Sequence, residues 1–235
     1  MSEPEDQNIH TFPRKPFLLL LLALAALAGI SLWFTAWCWP RYGESACGRY
    51  VLPIDFLMSL VIFALVTLVF DQRWGRLMAY AIMISFATVV GSLVARLFYT
   101  ASAMPWDSIP VLLYYLQGML TRMIYLILVQ ALIPAVLLRG YLRNDANRIT
   151  LKSAALFGVI IGLVFTVSMA GLFWLVSIIQ TGSVTPVFFL TWNDFLSALT
   201  LGLAGFLGVI LGKWLRSRTP APISGDGEDE QPGVS

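Results

Sequence analysis

The chain has 235 residues, of which 58% are hydrophobic and 12% charged, and its mean hydropathy is +0.79. A soluble domain is about half apolar and a quarter charged, so a soluble globular fold is excluded: it could not bury so much apolar surface. The net charge of +2 says little as a total, because the signs are segregated along the chain.

Taken in order, apolar stretches of roughly bilayer-spanning length cover residues 17–37, 53–70, 77–99, 111–138, 153–179 and 195–215. The second is the shortest. An open backbone in hydrocarbon leaves amides unsatisfied, and none of the stretches alternates with the period of two that a barrel strand needs. The expected fold is an all-α integral membrane protein, a compact bundle of about six transmembrane helices. A polar tail at 1–16 and a disordered tail at 216–235 flank the transmembrane domain at 17–215. The first stretch follows Arg14 and Lys15 and exceeds the usual signal-peptide core, so it reads as a retained signal anchor.

Basic residues give the sidedness. Arg14 and Lys15 precede the first span, Arg73 and Arg76 follow the second, Arg139, Arg143, Arg148 and Lys152 follow the fourth, and Lys213, Arg216 and Arg218 close the sixth. The opposite loops hold Arg41 and Arg49. The positive-inside rule then makes both termini cytoplasmic, and compactness fits a prokaryotic cytoplasmic membrane. The 139–152 loop could also hold anionic headgroups, although topology signalling accounts for the same charges.

Cys38 and Cys47 fall at the outer end of the first span, around Pro40 and Gly43. Outside the cytoplasm the pair can oxidise and brace the loop, or remain two thiols; with no histidine or second cysteine pair nearby, a metal site is not expected.

In lipid, helices approach where small residues line a face. The fifth span carries Ala154, Gly158, Gly162, Thr166 and Ala170, and the sixth carries Thr200, Ala204, Gly208 and Gly212, all at spacings of four. The two stripes are expected to pack on each other, with homodimerisation as the alternative. Pro134 removes a backbone donor inside the fourth span and should bend it, whereas Pro53 and Pro110 sit near expected helix starts.

Ionisable residues inside a membrane are costly and mark sites of interest. Asp55, Arg96, Arg122 and Asp194 all map to the outer half. Together with Gln117 they form a candidate pocket in which Arg96 and Arg122 hold an anionic group while the carboxylates orient them. Tyr99, Trp106, Tyr114, Tyr115 and Trp192 could line its rim, or belong to an interfacial aromatic belt. The competing reading is structural: Asp55 paired with Arg96 across neighbouring helices, or Arg96 snorkelling to headgroups.

Little points to catalysis. The one histidine is His10, in the polar tail, which leaves no histidine triad or HExxH site in the bundle, and there is no phosphate-binding glycine loop or nucleic-acid motif. No cofactor is implied and an enzyme is not expected. The expectation is a transport-related protein, a solute-binding or permease-type subunit with a small anionic solute as ligand. The alternative is a noncatalytic scaffold or accessory subunit that joins other membrane-protein subunits. Ala25 and Gly29 stand four apart in the first span. With six helices, inside termini and an outer polar cluster, the chain is similar in size and layout to the substrate-binding components of energy-coupling-factor vitamin transporters. That resemblance implies partner docking through the small residues of the first helix, and it includes no diagnostic motif.

Overall fold

The computed structural model describes residues 12–100, 131–142, 149–181 and 192–218. These are helical: α1 Arg14–Tyr42, α2 Glu44–Val69, α3 Trp74–Thr100, α4 Ile133–Leu142, α5 Leu151–Thr181 and α6 Trp192–Ser217. Among the described residues, five helices are long and apolar enough to cross a membrane, α4 being the short one. The chain is thus a helical membrane protein. Of the fourth expected span, 111–138, residues 111–130 lie outside the described residues.

The helices do not pack in chain order. Side by side they run α3, α1, α2, α6, α5, with α4 against α2 and α5; α2 and α3, although joined by a short loop, barely touch. The central position goes to α2, the shortest of the expected spans. Every residue from 61 to 70 is buried, as befits a helix apolar on all sides. Leu19, Leu22, Leu163, Val167 and Leu199 on the surrounding helices are exposed, which suits contact with lipid.

One helix start differs from expectation. The second helix begins at Glu44, with only Gly43 between it and the end of α1 at Tyr42, so Pro53 lies inside it and not at its start. The polar stretch 44–50 escapes a hydropathy window yet continues the helix. The reversal rests on Gly43, at φ 75° and ψ 170°, a backbone conformation in which a side chain would be strained. Pro40 belongs to α1 and takes no part in it. Cys38 and Cys47 are bonded across this corner with Cα atoms 5.7 Å apart, and both are buried.

At the other end of the bundle, Phe12 and Phe17 form an aromatic cluster with Tyr80, at centroid separations of 4.7 and 5.0 Å, fastening the start of α1 to α3. The first turn of α5 is capped reciprocally: Ser153 N donates to Thr150 Oγ1 (3.2 Å) and Thr150 N donates to Ser153 Oγ (2.8 Å), a capping box with serine in the third position. Residues 131–132 adopt a wider π-helical turn just before α4, next to the donor that Pro134 removes.

Candidate functional site

Glycine seams decide which helices meet. A Cβ on Gly158 of α5 would lie 2.5 Å from Gly202 O, and one on Gly162 would lie 3.0 Å from Ala198 O. The α5 stripe therefore does pack on α6, but on Ala198, Gly202 and Phe206. The expected partner stripe is used elsewhere. A Cβ on Gly208 would stand 2.7 Å from Leu60 O, and one on Gly212 would stand 2.6 Å from Thr67 Cβ, both on α2. Ala204, one turn before Gly208, is fully buried. Spacing reveals a small-residue face but not its partner. Here α6 carries two adjacent faces and sits between α2 and α5. A third seam joins α1 to α3: Gly91 lies so close to the Ala25 carbonyl that a Cβ would overlap it, and a Cβ on Gly29 would stand 3.1 Å from Gly91 O and 3.8 Å from Ala95 Cβ. The Ala25–Gly29 stripe thus packs against Gly91 and Ala95 of α3.

The cluster expected in the outer half falls only partly within the described residues. Gln117 and Arg122 lie outside the described residues, as do the side chains of Arg96 and Asp194. Asp194 occupies the first turn of α6, and Arg96 lies one turn before the end of α3. Asp55 is exposed and accepts a hydrogen bond from Ser31 Oγ of α1 at 3.3 Å. It lies five residues, about 7 Å, inside the Tyr50 end of the apolar span Tyr50–Val69. Ser31 is two residues, about 3 Å along the axis, beyond Gly29, which faces Ala95. The backbones of Asp55 and Arg96 therefore occupy nearly one level, on either side of α1.

A second polar cluster, at the basic end, had no place in the sequence reading. Arg216 Nη2 of α6 pairs with Asp71 Oδ2, just beyond α2, with side chains only 17% and 11% exposed. Arg139 Nη1 donates to Gln72 O at 3.1 Å, and its guanidinium stacks on Trp74 at 4.8 Å. Lys213 Nζ donates to Ile149 O. Together these contacts tie the ends of α2, α4 and α6 and the residue before the α5 cap. Asp71 is the one acid in the loop between the second and third spans, and that was the available clue. The basic residues flanking it were read for topology alone. Asp71 Oδ1 and Arg216 Nη1 have no hydrogen-bond partner.

Aromatic residues mark both ends of the long helices. Trp37 and Tyr42 pack together at 6.0 Å on α1, and Arg41 lies over Trp37 at 4.6 Å. At the basic end Trp74, Tyr141 and Trp214 are exposed. Trp74 and Tyr99 are 25 positions apart on α3, and Trp192 and Trp214 are 22 apart on α6. These separations of about 33–38 Å match a hydrocarbon core of about 30 Å with its interfaces. No protein-family model, curated protein or solved structure gives a match to this chain.

Proposed function

We propose that this protein is a transport-related component of a cell membrane, a solute-binding or permease-type subunit whose outer half holds a small anionic solute. The observation that carries the reading is the Asp55 carboxylate, exposed yet set inside an apolar span, at the level of the Arg96 backbone. A carboxylate there is costly unless it faces protein or water. The solute would be held by Arg96 and Arg122, with Asp55, Asp194 and Gln117 setting its orientation. Both termini are taken as cytoplasmic, because the described basic residues gather at the end that carries Asp71, Arg139 and Arg216. A prokaryotic cytoplasmic membrane fits the compact bundle.

Purification from the native membrane in mild detergent, followed by mass spectrometry, tests the reading. A stoichiometric anionic solute, or a copurifying transporter subunit or ATPase, is expected. Arg96→Gln and Arg122→Gln should stay folded and lose the solute. Folded variants that bind every tested solute normally would remove the proposed pocket. Recovery with a non-transport assembly would transfer the case to the scaffold reading.

A further inference from the structure

The fourth and fifth helices pack loosely and leave a cavity of about 330 Å3 between Val136, Gly140 and Tyr141 of α4 and Leu156, Phe157 and Ile160 of α5. Its walls are apolar apart from the Tyr141 hydroxyl. It starts about one turn inside the basic end and runs toward the bilayer centre. A Cβ on Gly140 would meet nothing within 4 Å, and Val136, Tyr141 and Leu156 are exposed, so among the described residues the groove is open on the outside of the bundle. At its mouth Lys152, exposed, stands one turn before Leu156 on the same face of α5. Asp71 is the one carboxylate at this end among the described residues, and Arg216 already neutralises it. The mouth is therefore positively charged over an apolar channel.

We propose that the α4–α5 groove binds one anionic phospholipid, an acyl chain lying along Gly140 and Ile160 and its phosphate held at Lys152 beside Tyr141. An apolar gap in a bilayer is not left empty, since its lining would forfeit dispersion contacts, and a cation at the interface selects a negative headgroup over a zwitterionic one. The occupant is thus set by two separable features, one for the chain and one for the headgroup. This inference stands apart from the outer-half pocket and survives its failure.

The full chain, purified and delipidated in detergent, is titrated with phosphatidylglycerol or phosphatidylcholine of identical acyl chains, and retained lipid is read by native mass spectrometry alongside thermal melting. Wild type should retain one phosphatidylglycerol, with a preference of about fivefold over phosphatidylcholine for a single interfacial cation. Lys152→Gln should abolish the preference while leaving weak retention of either lipid. Gly140→Leu, whose Cβ meets nothing within 4 Å and whose longer side chain takes up groove space, should abolish retention of both. Equal retention of the two lipids by wild type overturns the headgroup assignment and with it the proposal. Unchanged retention in folded Gly140→Leu means that the lipid sits elsewhere or that the groove is filled by protein, and overturns it as well.

Discussion

At the basic end of the bundle the carboxylate of Asp71 is almost buried and faces Arg216 of a neighbouring helix, while Arg139 and Lys213 are engaged by carbonyls and, for Arg139, a tryptophan face. In the opposite half of the bundle the carboxylate of Asp55 is exposed and takes a serine hydroxyl. Charges at the first site fasten helix ends together, so their removal should read out as stability. The charge at the second sits inside the apolar span, at the proposed solute site, so on that proposal its removal should read out as binding. What separates the two is burial: a buried charge left without its partner is strongly destabilising, whereas one that faces water costs little.

The sharpest way to break this division is to test whether stability follows backbone approach and the basic-end pair alone. Gly91→Val, which drives a side chain into the Ala25 carbonyl, should cost about 3 kcal/mol or more, seen as a collapsed melting temperature or loss of folded material on size exclusion. Asp71→Asn should cost about 2 kcal/mol, because Arg216 is left largely buried without its counter-charge. Adding Arg216→Gln to it should recover part of that loss in a double-mutant cycle. Reducing the Cys38–Cys47 bridge opens a short loop already held between two helices and should lower stability by about 1 kcal/mol, measured by melting with and without reductant. Asp55→Asn should change the melting free energy by less than about 0.5 kcal/mol while reducing solute retention. At the bottom of the scale, Gly75→Ala, whose Cβ meets nothing within 4 Å, should be neutral or stabilise by about 0.5 kcal/mol. A large loss there would show that glycine content, and not close approach, governs the bundle.

Hydropathy made the helical class legible because bilayer length and backbone satisfaction leave few options for such a sequence. It located the long helices but misjudged two things that depend on tertiary structure. The polar residues before Tyr50 are helical because a one-residue corner at Gly43 returns the chain at once, and a window of apolar residues has no means of registering that. The central place of α2 was equally hidden, since lipid and protein interior present nearly the same apolar demand to a side chain. The small-residue stripes of α5 and α6 were visible, but four-residue spacing identifies a face without naming its neighbour, and Gly208 and Gly212 turned out to meet α2. For the candidate site, Asp55 stood out as a charge in an apolar run. The Asp71–Arg216 pair joins positions 145 apart in the sequence, and only the packing of α6 beside α2 brings them together.

The most direct test of the division between a fastening end and a binding half is to compare wild type, Asp71→Asn, Arg96→Gln and Arg122→Gln in one native mass spectrometry and melting experiment on protein purified from its native membrane. The account predicts a small anionic solute on wild type. Arg96→Gln and Arg122→Gln should lose it with melting temperatures near that of wild type, and Asp71→Asn should melt early while retaining it below its transition. If instead the two outer arginine variants unfold, or remain folded with the solute still bound, the outer half is not the binding site and the account is wrong.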